Sequence, residues 1–328
     1  MKPQPGLSFI SFTLAVVSIA SMIASAGETD LPDAKPVPDM QVIPLPYDQA
    51  SFQYRGRELT RFHFSPTLTR PFLSPVIGPA GCSYTRMGHP HDPQGHSHHN
   101  SIWISHVNVN ETDFWADRTG ARIVCRQIDR YEDGMKQASL LCTNAWQNAQ
   151  SETLMLERRR IEVVPLEVGQ WMMTIDLQLE APGKTPVKLG ETPFGIIGVR
   201  VAKTIGVNDG GGRILNSKGR INEKQIFRKP ARWVDYSGPI TAQQTGGITL
   251  MDHPGNPGHP TPFHVRNDGW MGPCLTLNEP LTIEPGKPLR LRYALWVHEG
   301  VPSRNDVEKL YRPFAESKPP NMQPKRPH

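Results

Sequence analysis

"ARIVCRQIDRYEDGMKQASLLCTNAW", residues 121–146, decides the fold class. Apolar and polar residues alternate on both sides of Asp133-Gly134, a dipeptide that tolerates positive φ and so favours a two-residue hairpin turn. In that register Cys125 and Cys142 are directly opposed in a non-hydrogen-bonded pair. Their Cα atoms would be roughly 4.5 Å apart, at the short end of disulfide geometry. A bridge, two free thiols and a bulge that shifts the register are all compatible with the pattern.

The same pattern continues outward. "LMLERRRIEVV" (154–164) and "QWMMTIDLQLE" (170–180) alternate across a turn near Gly169 and predict a second hairpin. Its Arg158-Arg159-Arg160 run, flanked by Glu157 and Glu162, reads as a solvated strand. "IIGVRVAKTI" (196–205), "GGITLMD" (246–252) and "LRLRYALWVHEG" (289–300) add further strands. One helix is expected, over "SRNDVEKLYRPFAESK" (303–318), with Ser303 or Asn305 as cap and Val307, Leu310 and Phe314 as the buried stripe. The expected fold is therefore all-β and mostly antiparallel, a large β-sandwich with one C-terminal helix.

The ends read differently. Lys2, an apolar run and Ala24-Ser25-Ala26 predict a secretory signal over residues 1–26. Residues 27–46 hold five prolines and predict a linker or an edge segment. A single domain is expected over 47–317, and a disordered tail over 318–328. No later segment approaches the roughly 20 apolar residues that span a bilayer. The mature chain is thus expected in the periplasm or outside the cell, with no membrane part. Lys and Arg number 36 against 31 Asp and Glu, for a formal net charge of +5. Both signs are interspersed and no basic stripe carries aromatics, which argues against nucleic acid as a partner. Oligomeric state is not legible.

Six of the twelve histidines fall within residues 88–115. His89 to His99 lie in a Gly/Pro/Asp-rich loop, and Ser101 to Val109 alternate as a strand. On a straight strand, at roughly 3.3 Å per residue, His98 and His106 would be about 26 Å apart and could not share one ion. His89 and His91 sit in a variable-looking loop and receive no role. A metal held by His96, His98 and His99 with a distant partner is one alternative. The spacing, however, matches no zinc signature and lacks a helical H-E-x-x-H.

A second polar cluster, "MDHPGNPGHPTPFHVRNDGW" (251–270), puts Asp252-His253 at a strand end, with His264 and Arg266 on one face beyond a loop. That is what a pocket rim offers a polar ligand. Equally, Asp252 caps the turn and Arg266 pairs with a surface acid. A third segment, residues 210–239, contributes Glu223, Lys224, Trp233, Asp235 and Tyr236. Trp233 and Tyr236 either stack on a sugar or belong to the core.

"SHHNSIWISHVNVNETDFW", "GGGRILNS", "RWVDYSGP", "MDHPGNPGHPTPFHVRNDG" and "LRLRYALWVHEG" together resemble a bacterial family of unknown function, over roughly residues 45–316. Its members are often labelled "methane oxygenase PmoA". His96, His98, His99, His106, Asn108, Asn110, Asp113 and Trp115 match one family run. Asp252, His253, Asn256, His264 and Arg266 match another. Thr192-Pro193-Phe194-Gly195 departs from it, standing where many members carry Thr-Lys-Glu-Gly, so that the Lys–Glu pair is absent here or replaced, as by Glu191. Methane oxidation is set aside, because the oxygenase subunit of that name is an integral membrane protein. The resemblance implies a sandwich similar to those of the galactose-mutarotase type and, by fold analogy alone, a sugar ligand.

These observations lead to an exported protein that binds, or does acid–base chemistry on, a carbohydrate or polyol, in the manner of a mutarotase, lyase or hydrolase. His98, His106 and His264 are the expected acids, and Glu223 and Asp252 the expected bases. His99, Asn108, Asp113, Trp233, His253 and Arg266 are the expected ligand contacts. No cofactor is expected, with a divalent metal as the alternative. A further alternative is a non-catalytic glycan-binding module that depends on Trp233.

Overall fold

The computed structural model describes Met1, residues 36–92 and residues 94–323, and those from Pro38 onward form the unit treated below. Apart from Met1, the expected signal segment lies outside the described residues, as do residues 324–328 of the expected tail.

Among the described residues, nineteen strands and three α-helices follow in chain order. The first eight strands are β1 (Met40–Leu45), β2 (Gln49–Tyr54), β3 (Arg57–His63), β4 (Phe72–Val76), β5 (Ile102–Ile104), β6 (Arg122–Glu132), β7 (Ala138–Gln147) and β8 (Thr153–Pro165). Then come β9 (Trp171–Glu180), β10 (Val187–Leu189), β11 (Ile197–Arg200), α1 (Val207–Gly210), β12 (Arg213–Asn216) and α2 (Asn222–Ile226). The chain ends with β13 (Lys229–Pro230), β14 (Trp233–Pro239), β15 (Thr245–Asp252), β16 (Pro262–Arg266), β17 (Trp270–Pro273), β18 (Leu281–Ile283), β19 (Leu289–Glu299) and α3 (Arg304–Glu316).

Two large sheets face one another. One has nine strands in the order β1-β2-β3-β4-β5-β11-β17-β16-β13, the other eight in the order β12-β14-β15-β19-β9-β8-β7-β6, and β10 pairs with β18. Every named pairing of strands is antiparallel, as the alternation predicted. One core takes Phe52, Ile102, Val199 and Met271 from the first sheet and Trp146, Ile161, Leu177 and Val297 from the second. Period-two burial of this kind is what makes the chain a sandwich.

Four local expectations change. Asp133-Gly134 is not a two-residue turn, because Gly134 exchanges both backbone hydrogen bonds with Met40, at 2.9 and 3.0 Å. The loop is therefore longer, and bulges follow Cys125 and Ile128. Cys125 consequently faces Asn144 and Cys142 faces Ile128, and both thiols are free. The arginine run is not solvated: Arg159 and Glu157 point inward from β8, with side chains 2% and 0% exposed and 2.5 Å apart. Glu157 also accepts from Asn144 at 2.9 Å and Trp146 at 2.7 Å, so both oxygens of the buried carboxylate have a donor. Met40–Leu45, within the proline-rich segment, is an edge strand.

The fourth change is at the C-terminus. Helix α3 starts at Ser303 in a capping box with Asp306. Val307, Tyr311 and Phe314 pack on Trp233, Met251 and Trp296 of the eight-stranded sheet, while Leu310 is only half-buried. Beyond α3, Met322 is buried rather than in a free tail.

Candidate functional site

The outward face of the nine-stranded sheet carries a second, smaller cluster of Trp103, Trp115 and Trp270, with Phe72, Val107 and Phe194 against it. Register explains this. On β5, Ile102 and Ile104 point to the core, so Trp103 between them points away. Trp103 pairs with Gly198 of β11, and Arg200 of β11 pairs with Trp270 of β17. Arg266 of β16 pairs with Trp270, and His264 with Gly272. Trp103, Arg200, Trp270, His264 and Arg266 therefore share one face. Gly198 is required here, since a Cβ on it would lie 2.6 Å from the Trp103 indole.

A cavity of about 560 Å³ sits on this face. His89, His96, His98 and His99 come from the loop ahead of β5, Asp113 and Trp115 from the segment after it, and Phe194 from the turn before β11. Arg200, His264, Arg266, Asp268 and Trp270 complete it from the sheet and the β16–β17 turn. Of the expected residues, His98, His99, Asp113, His264 and Arg266 thus converge. Ser101–Val109 makes this possible by failing to be a straight strand: only Ile102–Ile104 pairs, and Ser101 has φ of 59°.

The imidazoles have distinct states. His264 donates from Nδ1 to the Pro193 carbonyl at 2.9 Å, leaving its Nε2 lone pair without a protein partner. Its ring stacks on Phe194 at 5.3 Å, and Phe194 stacks on Trp115 at 5.4 Å. Burial pushes His264 down to about 4. Burial, and then the Arg70 charge, likewise pushes His98 down to about 4. His99, stacked on Trp103 at 5.5 Å, is lowered further by burial and by Arg200. All three are neutral imidazoles at neutral pH. His89 is fully engaged: Nε2 donates to Asp268 at 2.9 Å and Nδ1 accepts from the His91 amide at 3.1 Å. Burial raises Asp268, but Arg200 and the His89 hydrogen bond outweigh it and hold the carboxyl below the usual range.

The other expected residues lie elsewhere. His106 is wholly buried, bonded to Thr276 at 2.9 Å and to the Asn108 amide at 3.0 Å. Asn108 lines a different cavity, with Glu111, Lys188 and Glu191. Trp233 and Tyr236 are core residues; Trp233 lies under α3, its Nε1 bonded to Glu308 at 2.9 Å. Asp252 holds its own loop, accepting from Asn256 at 2.8 Å and from the Thr261 amide at 3.0 Å. His253 bonds the Ser317 carbonyl at 3.1 Å. Glu223 stands beside the cavity, pairing with Arg266 at 3.1 Å and accepting from the Asn267 amide at 2.8 Å.

Sequence reasoning left out His89, Arg200, Asp268, Phe194, Trp115 and Trp270. A charge inside the apolar strand "IIGVRVA" was the available signal for Arg200, since an arginine there needs a partner. For the metal alternative, the rings of His96, His98 and His99 lie 4.6 to 5.7 Å apart. Yet among the described residues no three His, Cys, Asp or Glu side chains are arranged to hold an ion. Nor is any helix among them long and apolar enough to cross a membrane.

Solved structures similar to the chain include a protein described as a kojibiose phosphorylase from human microbiome and a heparinase III. The first has 10% identity and a TM-score of 0.32, over 85% of this chain and 36% of its own. The second has 11% identity and a TM-score of 0.28, over 79% and 30%. The chain thus spans about a third of their length. No curated protein matches it. Residues 49–312 match the model of a family of unknown function (DUF6807), and the chain belongs to that family.

Proposed function

We propose that this is an exported protein whose cavity binds a sugar or related polyol and does acid–base chemistry on it. One observation carries the reading: neutral His98 and His264 line the same cavity as Trp115, Phe194 and Trp270. Indole and phenyl faces suit the C–H face of a pyranose, while imidazoles and Asp113 suit its hydroxyls. The volume, about 560 Å³, falls in the range of small-molecule sites.

The chemistry follows from the hydrogen bonds. His264 Nε2 is an available base, and neutral His98, with no protein partner on its ring, offers the ligand one N–H donor and one acceptor nitrogen. Hydrolysis by two carboxylic acids is the poorer fit. Asp268 and Glu223 have both oxygens engaged by protein donors, and Asp113 engages one with two amides. A mutarotase- or lyase-type proton transfer fits better.

The test is a panel of monosaccharides and disaccharides, screened by calorimetry, with exchange between anomers followed by NMR. At least one sugar should bind to wild-type protein and lose affinity in His264→Ala. A panel without any binder would contradict the reading.

A further inference from the structure

We infer that the ligand carries a carboxylate, as a sugar acid does; this rests on reading the cavity as a sugar site. Two guanidiniums define the argument. Arg200, 0% exposed on the cavity floor, donates from Nη1 to Asp268 at 2.7 Å, while its Nε and Nη2 have no acceptor. Trp103 Nε1 and His99 Nδ1, on the same face, are also buried without a partner. At the mouth Arg266 is half exposed, and only its Nη1 is paired, with Glu223 at 3.1 Å.

In both arginines the edge formed by Nε and Nη2 is free. That edge is the one that receives a carboxylate through two parallel hydrogen bonds. The acids that would otherwise satisfy it, Asp268 and Glu223, have both oxygens engaged. The unfilled capacity around the cavity is therefore mostly donor capacity backed by positive charge. An acceptor-only anionic group complements it, and a neutral hydroxyl, which must also donate, does so less well. Arg266 is the accessible clamp, and Arg200 the buried charge and donor set beneath.

Calorimetry on the full chain should compare D-glucuronate and D-galacturonate with D-glucose and D-galactose, adding succinate as a carboxylate without a sugar ring. The uronates should bind about tenfold or more tighter than the neutral sugars. That margin should shrink in high salt and vanish in Arg266→Gln and Arg266→Lys. Arg200→Gln should lose the margin as well, but Arg266 is surface-exposed, so its variants keep the test independent of folding. Neutral sugars binding as tightly as the uronates would overturn the inference and leave the sugar reading standing. Succinate binding as tightly as the uronates, with neutral sugars inert, would support the anion site and overturn the sugar reading. Binding by none of these would overturn both.

Discussion

His264 presents its Nε2 to the cavity it shares with His98 because its Nδ1 is held by the Pro193 carbonyl at 2.9 Å. The two histidines come from different strand neighbourhoods, and the loop ahead of β5 brings His98 to the cavity that His264 of β16 lines. This relationship fixes a tautomer, an available lone pair and a pH range.

The pH range comes first. Both groups lie at about 4 in the folded protein against 6.5 when exposed. The unfolded chain therefore takes up protons first as the medium is acidified. Stability should hold above about pH 6.5 and fall as pH drops from there toward about 4. Urea midpoints across pH 4–8 should show this slope for wild-type protein and a shallower one for a His98→Gln/His264→Gln double variant. Equal slopes would contradict burial as the cause.

Trp233 separates a structural tryptophan from a ligand platform. Packed under α3 and 0% exposed, it should cost about 3–5 kcal/mol when truncated to alanine. Denaturant midpoints should fall, while ligand affinity of the folded fraction stays unchanged. Selective loss of binding at unchanged stability would reverse this assignment.

Gly198 should be intolerant of any side chain. Gly198→Val drives methyl groups into the Trp103 indole, at a cost of about 1–3 kcal/mol. Because His99 stacks on Trp103, ligand affinity should drop together with stability and tryptophan fluorescence should shift.

The buried ion pair of β8 supports the core beneath. Arg159→Met leaves Glu157 charged and buried, a loss of about 3–5 kcal/mol. Adding Glu157→Leu should restore only part of it, because Asn144 and Trp146 then lose their acceptor, as read from a double-mutant cycle of unfolding free energies.

Much of the fold was legible from residue 121 onward, because period-two alternation is a local property and each strand displays it alone. Register was not legible. The Asp133-Gly134 turn was lost to a contact with Met40, far away in sequence, and the bulges moved Cys125 off Cys142. Of the site, His98, His99, Asp113, His264 and Arg266 were legible as polar residues on loops and strand ends. His89, Arg200 and Asp268 were not, since their meaning lies in contacts across β11, β17 and the histidine loop. His106, Asp252 and His253 stand apart for the opposite reason: each satisfies its own local backbone, and none lines the cavity that His98 and His264 share.

The central claim is that His98 and His264 meet one ligand. The direct measurement is a double-mutant cycle by calorimetry, with His98→Ala, His264→Ala and the pair, on the tightest ligand of the sugar panel. The expected result is a loss of about tenfold or more in each single variant, with losses that do not add in the pair. Unchanged affinity in both single variants would contradict the account.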